Sequence, residues 1–168
     1  MGELGTIDTG PVTTGAVNIR RVTPDDLPDL LPLLRDYCTF YESAPADGEL
    51  RAMATAFLDE GSGGTQLIAR DASGQALGHA TVLSSWDTTL GQRLAVMEDL
   101  FVAEPARGRG VGAALIDACR QLAAERGVQL LAWETAPDNA TAQRLYDGLA
   151  QRAGTWLAYR LPTGVPAT

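Results

Sequence analysis

Arg107-Gly108-Arg109-Gly110-Val111-Gly112 is the most chemically pointed stretch of this 168-residue chain. Its glycines and arginines alternate between an apolar run ending Leu100-Phe101-Val102 and an amphipathic segment starting near Ala113. A turn of this kind at a helix N-terminus presents backbone amides and the positive end of the helix dipole, which favours an anion. The missing side chains let a bulky phosphate approach the backbone. A flexible connector is the plain alternative, but the arginines add charge that flexibility does not need. Just upstream, Glu98 and Asp99 are adjacent carboxylates, and Tyr146 is a phenol further along. A carboxylate can take a proton and a phenol can give one. As neighbours on a regular strand, Glu98 and Asp99 are expected to point to opposite faces, so that only one meets a ligand.

Other chemistries lack their residues. The single histidine, His79, lies mid-strand in LGHATV, and the two cysteines, Cys38 and Cys119, lie in apolar helical patterns. A Cys/His zinc cluster is therefore impossible, no metal is expected, and a disulfide framework has no support. A Ser-His-Asp triad would have to be built on His79. Thirteen Lys+Arg against twenty-one Asp+Glu leave a net charge of -8. That field attracts neither phosphate backbones nor anionic lipid, so nucleic acid and membrane are not expected partners, whereas cationic ones gain. No apolar run approaches the ~20 residues that span a bilayer. The start, MGELGTIDTGPVTTG, has neither the basic end nor the apolar core of a signal peptide, and a cytoplasmic location is expected.

The elements that must position these groups can be read from periodicity. Residues 1–15 read as a mobile tail, 16–162 as one domain and 163–168 as a second tail. Val17–Val22 reads as a strand, followed by a Thr23-Pro24-Asp25-Asp26 helix start. Leu27, Leu30, Leu31, Leu34, Cys38 and Tyr41 form a helical stripe in which Pro32 predicts a kink or break. A second helix is expected over Gly48–Glu60. Residues 65–70 and 76–85 read as an antiparallel hairpin about a DASG turn, and 93–102 as a third long strand. Helices follow at 113–126 and 140–149, with strands at 128–133 and Trp156–Leu161. The order β-α-α-β-β-β-α-β-α-β predicts a mixed α/β sheet.

GRGVGA also fits the dinucleotide pattern G-x-G-x-x-G/A, with Glu134 ending the next strand. Against that reading, five residues (103–107) separate the strand from the first glycine, and the fingerprint falls late in the chain. About 35 residues remain after Glu134, too few for the rest of such a fold.

Arg107-x-x-Gly110-x-Gly112 resembles the R/Q-x-x-G-x-G/A signature of the GNAT superfamily of acyl-CoA-dependent N-acetyltransferases. Met97-Glu98-Asp99-Leu100-Phe101-Val102 and Asn139-x-x-Ala142-x-x-Leu145-Tyr146 are similar to that family too, over about residues 17–161. The resemblance implies a mostly antiparallel twisted sheet with a parallel splayed pair, flanked by helices. It implies acetyl-CoA as cosubstrate, its pyrophosphate on the amides of Arg107, Gly108, Arg109, Gly110, Val111 and Gly112. Its pantetheine arm would lie along Leu100, Phe101 and Val102, with Asn139 also touching the cosubstrate. Polyamine acetyltransferases of the superfamily carry Glu at the Glu98 position and Tyr 48 residues later, as Tyr146 is here. That implies Glu98 as the base and Tyr146 as the acid, against the plainer readings of a cross-sheet ion pair and a packed tyrosine.

Tyr41-Glu42 and Trp86-Asp87 resemble acceptor-side segments of small-amine acetyltransferases, and an aromatic beside a carboxylate suits an ammonium group. The connection over 86–92 looks longer than in the polyamine enzymes. The acceptor is therefore read as a small amine, with a polyamine, an amino acid, an aminated antibiotic or a protein N-terminus left open. Direct attack is expected, since Cys38 and Cys119 read as core residues. An acyl-CoA-binding sensor without chemistry is the non-enzymatic alternative. A homodimer follows only by analogy with relatives.

Overall fold

The computed structural model describes residues 12–14 and 17–164. Strands β1 (Val12–Thr14), β2 (Val17–Arg21), β3 (Gly64–Arg70), β4 (Ala76–Asp87), β5 (Gln92–Val102) and β6 (Leu131–Ala132) form one sheet in sequence order. All neighbours are antiparallel except β5 and β6, which run parallel. Helices α1 (Leu27–Phe40) and α2 (Asp47–Ala56) follow β2, α3 (Val111–Glu125) follows β5, and α4 (Ala140–Asp147) follows β6. The expected mixed, mostly antiparallel sheet with one parallel pair is what the chain forms.

Two cores flank the sheet because its strands alternate. On β3, Leu67 and Ala69 meet the α3 residues Leu115, Cys119 and Leu122, while Ile68 between them meets Leu30, Leu34 and Leu50 of α1 and α2. Burial on both faces explains why GTQLIAR is nearly continuous in small and apolar residues rather than alternating with charges. The hairpin turn is closed by Asp71, whose Oδ1 accepts from the Ser73 and Gln75 amides at 2.9 and 3.0 Å.

The expected helix start holds, with an added function for its last residue. Pro24–Asp26 makes one 3-10 turn, and both the amide and hydroxyl of Thr23 donate to Asp26 Oδ2, at 2.9 and 2.8 Å. Asp26 is 1% exposed, and Arg20 of β2 and Arg70 of β3 bind it at 2.6–2.7 Å. One carboxylate thus ties two strands to the start of α1. Burial alone would raise its pKa, but Arg20, the Thr23 amide and Arg70 outweigh burial and hold it well below the carboxylate range.

Several expectations need correction. Pro32 does not break α1; it lies on the exposed side, where the carbonyl it leaves without a donor can meet water. The second helix ends at Ala56, and a separate 3-10 turn covers Glu60–Ser62. The strand expected over 128–133 pairs only at Leu131 and Ala132. Trp156–Leu161 is not a strand: it has the apolar, aromatic-rich composition of one but no ladder partner among the described residues, and Trp156, Leu157, Tyr159 and Leu161 stand exposed. Pattern alone does not make a strand when no neighbouring edge receives it. Of the expected tail, residues 12–14 pair as β1, whereas 1–11, 15–16 and 165–168 lie outside the described residues. The long connection expected over 86–92 is a hairpin end, since β4 runs to Asp87 and β5 resumes at Gln92.

Candidate functional site

The site is built around a break in the β4–β5 ladder. Thr81 pairs with Asp99 and Val82 with Met97, so Glu98 is an extra residue in β5 and the strand bulges there. The bulge resets which residues face α3. Ala95 and Met97 before it and Leu100 and Val102 after it all pack on the α3 core. Glu98 and Asp99 therefore share the other side of the sheet, toward α1. This corrects the expectation that they point to opposite faces, which holds only for an unbroken strand.

The outer edge of β5 is released at the same place. β6 pairs with it only at Ala95 and Val96, backed by the Ala95 amide donating to Leu130 O at 3.0 Å. From Met97 to Val102 that edge has no ladder partner among the described residues. Leu100, Phe101 and Val102 thus border an opening between β5 and the chain leading to α4.

At the head of that opening lies the glycine turn. Gly108 and Gly110 have φ of 72° and 81°, and Gly110 is the N-cap of α3. A side chain costs roughly 1–2 kcal/mol in this left-handed region. The Arg107 amide donates to Glu104 O, and the Ala114 amide donates to Gly110 O. Among the described residues, the amides of 108–113 have no acceptor in the chain, and so form a nest suited to an anion. Gly112 serves packing: a Cβ there would lie 3.0 Å from Leu145 Cδ2 of α4. Arg107 turns back to β5, donating from Nε to Val102 O at 3.0 Å with its guanidinium 5.8 Å from the Phe101 ring centre. Arg109 remains exposed beside the turn.

Tyr146 is half-buried on α4, its ring 5.4 Å edge-on from Trp133. Burial first and the neighbouring Tyr41 second raise its pKa, so the phenol keeps its proton at neutral pH. Asn139 caps α4, its side-chain oxygen accepting from the Ala142 amide at 3.1 Å. The turn at the end of α1 brings Tyr41 and Glu42 to this side. Glu42 adopts φ 53°, the conformation glycine usually supplies after a helix, while the Ser43 amide closes the end on Cys38 O at 2.9 Å.

Trp86 and Asp87 stand apart. Five residues at ~3.4 Å each place Trp86 about 17 Å along β4 from Thr81, the partner of Asp99. Arg93 sits 5.2 Å over the Trp86 ring, and Asp87 closes the hairpin turn by accepting from the Thr89 and Leu90 amides. The site residues thus gather at the bulge, the turn and α4, with this pair outside the gathering.

Tyr37, not singled out from the sequence, completes the α1 side together with His79. Tyr37 lies between α1 and the sheet, 5.0 Å from Tyr41, 5.9 Å from His79 and 6.2 Å from Phe101 between ring centres. Its pKa is raised first by burial, then by the charge and hydrogen bonding of Asp99 and by Tyr41. His79 is fully buried and neither ring nitrogen has a partner. Burial drives its pKa down to about 4 against the pull of Asp99, so it is neutral at physiological pH. Tyr37 is one turn before Tyr41, a spacing that could have flagged it. Cys38 and Cys119 are both raised, Cys119 by burial to about 12, which leaves neither as a thiolate nucleophile.

The sequence profile of the acetyltransferase (GNAT) family matches residues 27–149. "Uncharacterized N-acetyltransferase YhfO" of Bacillus subtilis is 29% identical over 131 residues, covering 78% of this chain and 87% of its own. The L-methionine sulfoximine/L-methionine sulfone acetyltransferase of Pseudomonas aeruginosa is 27% identical over 153 residues, 88% of this chain and 84% of its own. The crystal structure of a probable acetyltransferase superposes with a TM-score of 0.76 at 25% identity, over 88% of this chain and 99% of that one. The dinucleotide reading falls, since the glycine turn follows a strand of a mostly antiparallel sheet rather than opening a parallel βαβ unit. With its amide nest at the released edge of a bulged strand, the chain belongs to the GNAT family of N-acetyltransferases, whose cosubstrate is acetyl-CoA.

Proposed function

We propose that this enzyme moves an acetyl group from acetyl-CoA to the primary amine of a small, cationic acceptor by direct attack. The observation that carries the reading is the conjunction of unpartnered amides at 108–113 with the unpaired outer edge of β5. The first suits a pyrophosphate and the second an amide-bearing arm that can pair like a strand. To accept that arm at Val102 O, the Arg107 side chain has to give up its bond there, which frees it for the phosphates. Asn139, the N-cap of α4, is the proposed further contact to the cosubstrate.

An alkyl ammonium has a pKa near 10.4, so supplying the neutral amine at pH 7 costs roughly 4–5 kcal/mol. Glu98, exposed at the bulge, is the proposed acceptor of that proton. A backbone amide of β5 would polarise the thioester carbonyl. Tyr146, protonated and half-buried, is the proposed donor to the departing thiolate, whose conjugate acid has a pKa near 8.5. Tyr41 and Glu42 offer an aromatic face and a carboxylate to the acceptor's ammonium. Trp86 and Asp87 would contact an acceptor only if it extended along β4.

Calorimetric titration with acetyl-CoA, with NAD and NADP in parallel, tests the cosubstrate. Micromolar acetyl-CoA binding with silent dinucleotides is expected. Release of CoA thiol with a panel of amines then tests the chemistry, and binding without any thiol release identifies a sensor instead.

A further inference from the structure

Consecutive residues of a strand turn their backbone groups to alternate edges. A Cβ on Gly78 would run into the Phe101 carbonyl, which therefore faces β4, and the Ala103 amide donates to Leu77 O at 2.8 Å. Val102, between them, turns its amide and carbonyl the other way, to the outer edge where β5 has no ladder partner among the described residues. That edge is nevertheless occupied. Arg107 reaches back five residues and donates from Nε to Val102 O at 3.0 Å, with its guanidinium 5.8 Å from the Phe101 ring centre. The side chain thus supplies the donor that an incoming strand would supply, at the position proposed for the amide-bearing arm of the cosubstrate.

This hold is weak and exchangeable. Arg107 is exposed, and its guanidinium has no carboxylate partner among the described residues. A neutral carbonyl and the side of a ring are what keep it in place. It stands immediately before the unpartnered amides of 108–113. A pyrophosphate seated on those amides would offer the guanidinium charge-assisted bonds, which are stronger than a bond to a neutral carbonyl. A thioester without phosphate offers no such exchange and has to displace the side chain uncompensated.

We infer that Arg107 is a cosubstrate gate. It closes the outer edge of β5 at Val102 O, yields to acyl thioesters that carry a pyrophosphate, and holds back pantetheine thioesters that lack one. Phosphate capture and release of the strand edge are then one movement of one side chain. Part of the specificity comes from a cost imposed on the wrong ligand and not solely from contacts to the right one. The inference rests on the acetyltransferase reading above. A side-chain hydrogen bond and a cation–π contact of ordinary strength together correspond to about a 10-fold change in affinity.

Calorimetric titration of the full chain with acetyl-CoA and with S-acetylpantetheine, in the absence of any amine, reads binding without turnover. Arg107→Met removes the charge and the donors but keeps an unbranched stem, at an exposed position that does not carry the fold. Its affinity for acetyl-CoA is expected to fall about 10-fold or more, while its affinity for S-acetylpantetheine rises about 5- to 10-fold. Arg107→Ala should give the same two opposite shifts, which separates loss of the gate from any new contact made by the methionine. A fall with both ligands would overturn the gate. So would a fall for acetyl-CoA with no gain for S-acetylpantetheine up to millimolar concentrations in either variant, which would leave Arg107 a phosphate ligand alone. A wild-type protein that binds neither ligand removes the acetyltransferase reading, and the gate with it.

Discussion

Met97 and Leu100 stand three residues apart on one strand and yet pack against the same core. In an unbroken strand they would face opposite sides. Glu98, the extra residue of the bulge, makes the difference, and it is also the proposed base. The irregularity that brings both carboxylates to one face coincides with the place where β6 stops pairing, so an exposed acid and an open strand edge arise together.

Tyr146→Phe removes one hydroxyl while keeping the edge-on packing against Trp133. Steady-state kcat should fall at least ~100-fold, the lower end for acid catalysis. Calorimetric acetyl-CoA affinity should stay the same. A wild-type kcat would take Tyr146 out of the mechanism.

Gly110→Ala places a side chain at φ 81° where there is space but the conformation is unfavourable. The roughly 1–2 kcal/mol cost falls on the turn that offers its amides, so acetyl-CoA affinity should drop about 10-fold. Gly112→Ala has an ordinary helical backbone and meets only the end of the Leu145 side chain, so it should cost less affinity. Isothermal titration of both variants reads the contrast, and equal affinities would argue against the amide nest.

Asp26→Asn leaves Arg20 and Arg70 converging on a neutral group. Loss of about 3 kcal/mol is expected in urea denaturation at pH 7. The pH dependence follows from the lowered pKa of Asp26 in the folded state. Above about pH 5 the carboxyl is ionised folded and unfolded, and its stabilisation is complete. As the pH falls below that, the unfolded chain takes up the proton first and the stabilisation declines. The gap between wild type and Asp26→Asn should therefore be widest above pH 5 and shrink toward pH 2. A gap that widens on acidification would contradict the assignment.

Glu42→Gly relieves the one non-glycine residue with positive φ among the described residues. Urea denaturation should show the variant more stable by about 0.5–1 kcal/mol. If Glu42 contacts a cationic acceptor, the KM for that acceptor rises at the same time while kcat holds. A more stable protein with an unchanged KM would make Glu42 a strained turn residue and nothing more.

Legibility tracked the range of the interactions involved. Helix periodicity, the Pro24 start, the DASG hairpin and the glycine turn are local signals, set by side chains a few residues apart, and each stands within a few residues of where the sequence places it. Trp156–Leu161 carried an equally good local pattern and formed no strand, because a strand is completed by a partner edge and β6 offers two paired residues. The charged pocket was less legible still. Tyr37, His79 and Asp99 come from α1, β4 and β5, and no spacing along the chain announces that they meet.

The sequence by itself determined most element types, the glycine turn and the residue types able to move protons, since these depend on backbone sterics and side-chain chemistry. Which carboxylates share a face was decided only in the folded sheet. That choice depends on one residue of register between β4 and β5, and register is set by how two strands pack their cores rather than by either strand alone.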